Sequence, residues 1–282
     1  MDIDVGCRLG YEIAEPTYFI FQIEAAEAEG QSLKNETLTL PSNSDGSGFE
    51  AYTDPTSLTR RVRCLLGPGK VDVSYQATVA VDAAGFDPAA VHEFDFDQLP
   101  MNCVDYLRPS RYCPSDTFAE FAFAQFGALA RGHTRVAAVC DWIFDNIRYQ
   151  AGSSGPATNA ADVFKTKQGV CRDFAHLGIS LTRALGIPAR YASVYADGLN
   201  PQDFHAVFQA YLQGPTGGRW FFFDATRMSS VDAVVRIAAG MDAADVAFAW
   251  PQGAVKSAPP EVTVNAHGRN HTDRTDLAIG SR

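Results

Sequence analysis

The sequence predicts an α+β fold in three stretches. Residues 1–105 read as an antiparallel β-sandwich, residues 106–256 as helices packed on an antiparallel sheet, and residues 257–282 as an irregular tail. Three observations carry this reading. The first hundred residues fall into short alternating apolar runs with turn residues between them. Beyond residue 116 the apolar spacing lengthens to the 3.6-residue period of a helix. The charge also changes character: residues 1–105 hold 18 of the 33 acidic side chains but only 6 of the 23 basic ones.

In the first stretch, Tyr18-Phe19-Ile20-Phe21-Gln22-Ile23 and Leu38-Thr39-Leu40 are strand candidates. Arg61-Val62-Arg63-Cys64-Leu65-Leu66 leads into the turn Gly67-Pro68-Gly69-Lys70, and residues 71–81 then alternate apolar with polar. Pro109 and Pro114 mark a linker at the charge change. A helix over Phe118, Phe121 and Phe126 follows, capped by Asp116 or Thr117. Residues 133–147 form a second, with Val136, Val139, Cys140, Ile143, Phe144 and Ile147 on one face. The loop from Tyr149 to Pro156 lacks the Lys-Ser/Thr ending of a phosphate cradle, so nucleotide binding is not expected. Asn159 caps a short helix ending near Gly169.

Next comes a helix starting at Cys171, with Phe174, Leu177, Leu181 and Leu185 in helical spacing and Gly186 and Pro188 ending it. Residues 190–196, 205–212 and 219–224 read as three antiparallel strands. The glycine-rich stretch 213–218 joins the last two as a hairpin loop.

Composition narrows the function classes. The chain has 282 residues, 46% hydrophobic and 20% charged, which is ordinary globular usage. No apolar run reaches eighteen residues, so no membrane span is expected. Met1-Asp2-Ile3-Asp4-Val5 is acidic and carries no basic, apolar leader, which points to an unprocessed cytoplasmic protein. A net charge of −10 without a basic patch argues against nucleic acid as partner. Six scattered cysteines without a C-x-x-C argue against a metal centre, and disulfides are not expected, even for Cys103 with Cys113. Neither cofactor nor metal is called for, and the oligomeric state is left open.

Three residues suggest chemistry. Cys171 stands at a helix start, where unpaired N–H groups and the positive end of the helix dipole favour a thiolate. His205 and Asp224 follow on adjacent strands, where side chains come within roughly 5 Å when the register is right. A thiol, an imidazole and a carboxylate in this arrangement make a nucleophile, its base and the group orienting the base. The order alone is weak evidence. A buried thiol, a satisfied histidine and an aspartate at a strand end is the bland alternative.

Four motifs weigh against that alternative. Gly169-Val170-Cys171-Arg172-Asp173-Phe174-Ala175-His176, Gly186-Ile187-Pro188-Ala189-Arg190-Tyr191, Asp203-Phe204-His205-Ala206 and Trp220-x-x-x-Asp224-x-Thr226 together resemble the transglutaminase-like superfamily with its papain-like core. Pro109-Ser110-Arg111-Tyr112-Cys113 and Gly152-Ser153-Ser154-Gly155-Pro156 look like bacterial members carrying an N-terminal β-sandwich. The resemblance implies Cys171 as nucleophile, His205 as base and Asp224 as orienting acid. Tyr149 resembles a family tyrosine and is a candidate, with the Cys171 backbone N–H, for an oxyanion site. The chain departs from the family pattern at Val207, Gln209 and Ala225.

The expectation is therefore thiol acyl transfer on the amide bonds of a peptide or protein, through a thioester. The absence of an Asp-x-Asp-x-Asp-Gly calcium loop favours a cysteine peptidase or amidase over a protein-glutamine transamidase. A binding module that keeps the fold without turnover is the rival from another class. His176, five residues after Cys171 and so turned away from it on the helix, reads as structural. His92, His133, His267 and His271 have no company suggesting a metal.

Overall fold

The strand Gly69–Val81 sets the pattern of the first half: from Val73 onward its odd-numbered side chains are buried, the period of a half-buried strand. In the computed structural model, which describes residues 1–41, 48–270 and 275–281, it pairs along its whole length with Asp2–Ile13. Gln31–Thr39 flanks the pair on one side, and Val255–Ser257 and Glu261–Ala266 flank it on the other. A second antiparallel sheet runs in the order Ala249–Pro251, Thr17–Phe21, Arg60–Leu66, Glu50–Thr53. Ile3, Phe19, Phe21 and Tyr75 are fully buried, and Tyr11 packs its ring 4.9 Å from that of Phe19.

The third sheet runs in the order Val234–Gly240, Ala189–Ala196, Phe204–Gly214, Gly217–Phe223, Ala278–Ser281, Ala84–Phe86. The helix Cys171–Ala184 lies on one face of it. Contact there is close, since a Cβ on Gly178 would meet Phe208 Cε1 at 2.5 Å. The helices Ala119–Phe126, His133–Asn146 and Ala160–Thr166 form at the expected places, but Phe144 is exposed rather than on the buried face of the second, and Arg227 lies over its ring. Asn159 caps the last, its Oδ1 accepting from the Ala161 and Asp162 N–H groups. At the end of the Cys171 helix Gly186 takes the left-handed conformation, φ 81°, which glycine adopts without strain.

Three expectations need correction. Residues 257–282 are not an irregular tail: Glu261–Ala266 extends the first sandwich sheet and Ala278–Ser281 the third sheet. Val262 and Ala266 bury the apolar half of an alternating Glu-Val-Thr-Val-Asn-Ala run, and both strands cover edges that would otherwise leave backbone groups unpaired. The stretch around 101–116 is not a bare linker, since it holds the helix Met101–Val104 and two short 3-10 turns, Asp105–Leu107 and Ser115–Phe118. Neither Asp116 nor Thr117 caps the next helix; both lie within the second turn, and Thr117 Oγ1 donates to the Pro114 carbonyl.

The sandwich and the third sheet also interlock. Tyr195 Oη donates to the Ile23 carbonyl at 2.7 Å, and the Gln31 side chain bonds the backbone of Arg236 in both directions, at 2.8 and 2.7 Å.

Candidate active site

Two short strands bring the site together from the helical side. Arg148–Tyr149 runs parallel to Gln168–Gly169, which sets Tyr149 beside Gly169, two residues before Cys171. Gly169 is required by space: a Cβ there would meet Asp173 Cβ at 2.7 Å. Asp173 is fully buried, and its Oδ2 accepts from the Val170 N–H at 2.9 Å, closing the first turn of the helix. Its Oδ1 accepts from Arg172, whose Nη2 also donates to the Gly155 carbonyl at 2.9 Å. Arg172 and Asp173 thus fix the helix start on which Cys171 stands and tie it to the 150–158 loop.

The sheet supplies the other half. Phe204–Gly214 pairs with Gly217–Phe223, Phe208 opposite Phe223, so that His205 and Asp224 emerge at the same end of neighbouring strands. His205 Nε2 lies 3.0 Å from Asp224 Oδ2, and both side chains are buried. The Cys171 thiol is a neighbour of the same ring and favours its charged form. Burial opposes charge on the imidazole, but the Asp224 carboxylate outweighs it and, with the Cys171 thiol, pushes the pKa of His205 up to about 10. Burial likewise works against ionised Asp224. The His205 charge and hydrogen bond overcome it and hold the carboxyl below the usual range.

Asp224 is anchored by three further donors. Thr226 gives its N–H and its hydroxyl to Oδ1, at 2.9 and 2.7 Å, and the Ser229 N–H reaches Oδ2 at 3.2 Å. Thr226 belongs to the motif that pointed to Asp224; Ser229, in an irregular segment, had no sequence signal at all. The Tyr149 hydroxyl also has Cys171 as an electrostatic neighbour. Burial and this neighbouring thiol push the phenol up to about 12.

All four candidates, Cys171, His205, Asp224 and Tyr149, therefore meet in one place. Cys171 and His205 open into a cleft of about 550 Å³. Its walls include Phe204 and Phe248, stacked with ring centroids 4.9 Å apart, and Ile237 and Val246. Ser193 also lines it, with a buried Oγ that finds no hydrogen-bond partner.

The other histidines lie elsewhere. His176 is fully buried, stacked on Tyr112 at 5.0 Å, and its Nε2 accepts from the Ala243 N–H; burial drives its pKa down to about 3. His133 packs on Phe223, His92 pairs its backbone with Gln213, and His267 contacts Asp4. His271 lies outside the described residues. Gln209, at one of the departures from the family pattern, is buried and joins Arg190 to Ser281. All six cysteines are free, Cys171 being the partly exposed one.

Comparison with known proteins bears on the family and the fold. The sequence model of the transglutaminase-like superfamily matches residues 120–225. A solved Cytophaga hutchinsonii structure, named as a candidate cysteine protease, is 35% identical and superposes with a TM-score of 0.89, covering 100% of this chain and 96% of its own. The chain belongs to the transglutaminase-like superfamily. The transglutaminase-like match takes in Cys171, His205 and Asp224. Among curated relatives, an uncharacterised Mycobacterium leprae protein is 27% identical over 147 residues, 51% of this chain and 53% of its own. An uncharacterised Mycobacterium tuberculosis protein is 31% identical over 115 residues, 37% of each chain. The chain thus spans about half or less of the length of the curated relatives it matches.

Proposed function

We propose that this chain is a thiol acyl-transfer enzyme that hydrolyses amide bonds, with Cys171 as nucleophile, His205 as acid and base, and Asp224 holding the imidazole. The observation that supports it most is the 3.0 Å contact of His205 Nε2 with buried Asp224, which leaves Nδ1 for the Cys171 thiol at the mouth of the cleft.

In this reading Cys171 Sγ adds to the carbonyl carbon of a bound amide. The charge that develops on the oxygen is met by the Cys171 N–H and the Tyr149 hydroxyl. The C–N bond breaks as the His205 imidazolium gives its proton to the leaving amine, and a thioester remains. Water then attacks, giving a proton to His205; the C–S bond breaks, the acid departs, and the thiolate–imidazolium pair is restored. The apolar walls at Phe204, Phe248, Ile237 and Val246 suit an uncharged peptide side chain beside the scissile bond.

The test is incubation of the purified chain with a peptide library and, separately, with a glutamine peptide plus a fluorescent primary amine. Peptide cleavage that is lost in Cys171→Ala is the expected result. Amine incorporation without cleavage would make the chain a transamidase. Binding without turnover, unchanged in Cys171→Ala, would make it a binding module.

A further inference from the structure

Asp203 stands two positions before His205, just ahead of the strand Phe204–Gly214, and lines the same cleft as Cys171 and His205. Its Oδ1 accepts from the Phe204 N–H at 2.7 Å, and the residue is exposed. The carboxylate is thus steadied by its neighbouring backbone while staying open to water.

Its charge is felt across the site. Burial and the Cys171 thiol push the Tyr149 phenol up, and the Asp203 carboxylate adds to that push. Tyr149 and Asp203 come from different elements, the strand Arg148–Tyr149 and the start of Phe204–Gly214. Asp203 therefore acts on the place where Tyr149 meets Cys171.

Among the described residues, Arg172 and Asp203 are the charged side chains in the cleft lining besides the reacting groups. Arg172 is engaged: its Nη2 donates to buried Asp173 at 3.0 Å and to the Gly155 carbonyl at 2.9 Å, and its guanidinium lies 5.7 Å from the centre of the Tyr112 ring. A ligand entering past Phe204 and Phe248 thus meets a solvent-open carboxylate in largely apolar surroundings.

The chemistry gives that carboxylate a use. Attack by Cys171 needs a thiolate and then an oxyanion, each a negative charge near an existing one, and like charges disfavour each other. A cation on the substrate, seated at Asp203, gains an attraction and offsets this repulsion as the transition state forms. Two positions of extended chain span about 7 Å, so such a group belongs on a residue flanking the bond under attack.

We propose that Asp203 is a specificity-determining residue that selects substrates with a positively charged nitrogen, an α-ammonium or a basic side chain, on a residue flanking the scissile amide. This selection rests on Cys171 acting as the nucleophile. The apolar walls and Asp203 then take different groups of one substrate.

The test gives the full chain and Asp203→Asn peptides matched in sequence. One pair is free or acetylated at the α-amino group next to the scissile bond; the other is acetylated and carries lysine or glutamine at the flanking position. Asparagine keeps an acceptor for the Phe204 N–H and removes the charge. The parent should prefer the charged member of a pair by about fivefold in kcat/KM, the size of a favourable exposed ion pair, and the variant should cleave both members alike. Preference within the first pair makes the cation a chain end; preference within the second makes it a basic side chain. Equal cleavage by the parent in both pairs, or a preference that survives in Asp203→Asn, overturns the proposal. If no peptide is cleaved, hydrolysis is the wrong reaction, and the thiol itself still decides the role of Asp203. Cys171, followed by mass spectrometry, should react with a trimethylammonium methanethiosulfonate faster than with its sulfonate analogue, by about fivefold more than a small free thiol does. Asp203→Asn should remove that excess; the same ratio in parent and variant overturns the proposal.

Discussion

Asp224 reaches His205 through Oδ2, 3.0 Å from Nε2, while Thr226 and Ser229 hold the same carboxylate from behind with three donors. The carboxylate thus has anchors besides the imidazole, and its contact at Nε2 leaves Nδ1 for Cys171. Each favours the charged state of the other against burial.

That mutual support makes stability depend on pH. His205 has its folded pKa raised from an ordinary value of about 6.5 to about 10. Its contribution is therefore complete below about pH 6.5 and lost as pH rises through about 10. Asp224 has its folded pKa lowered, so its contribution is present above about 3.9 and lost as pH falls. Asp224→Asn should thus cost about 2 kcal/mol near pH 6, and less near pH 10. Urea denaturation of both proteins across this range checks it; a penalty independent of pH would refute the pairing.

Tyr149 has the Cys171 thiol as a neighbour, and Arg148–Tyr149 pairs with Gln168–Gly169 just before the helix start. If it stabilises charge that develops only in the transition state, Tyr149→Phe should lower kcat about tenfold and leave KM unchanged. Steady-state kinetics on a cleaved peptide decides this. A rise in KM alone would place the hydroxyl in substrate binding.

Gly169 keeps the helix start intact by leaving room for Asp173. Gly169→Ala should displace that buried carboxylate from the Val170 N–H and destabilise the fold by about 2 kcal/mol. Thermal unfolding measures it. An unchanged Tm would mean that the helix start gives way without strain.

His176 is held neutral, its pKa driven down to about 3 by burial. The unfolded chain takes up a proton that the folded chain refuses, so stability falls as pH drops from about 6.5 toward 3. His133, lowered to about 4, adds to the same loss. His176→Gln should reduce the slope of unfolding free energy against pH in this window by up to about 1.4 kcal/mol per pH unit. An unchanged slope would show that His176 is protonated in the folded state.

Much of this was legible in the chain. Gly169, Cys171, His205, Asp224 and Thr226 stand in local patterns whose spacing follows from a helix start and a hairpin, so their meeting needed only the right register. The strands 261–266 and 278–281 were harder to read because their meaning is non-local: each completes an edge formed by residues more than 50 positions away. Alternation in Glu261-Val262-Thr263-Val264-Asn265-Ala266 was visible, but its partner Asp2–Ile13 was not. Ser229 and the cleft walls at Ile237, Val246 and Phe248 come from segments with no motif, placed only by packing. Arg190 reads as an ordinary strand residue, and Arg236, on the strand Val234–Gly240, has no sequence signal at all; only the packed sheet shows that both are buried.

The most direct measurement is the pH dependence of iodoacetamide labelling, resolved by cysteine with mass spectrometry, in the parent and in His205→Ala. The other five cysteines are buried, and burial raises Cys7, Cys64 and Cys103 to about 11, Cys113 to about 12, and Cys140 well above the ordinary thiol range. Labelling at Cys171 alone is expected near pH 6, lost when His205 is removed. Labelling of Cys171 that rises only above about pH 8.5, or that is the same without His205, would contradict the thiol–imidazole pair.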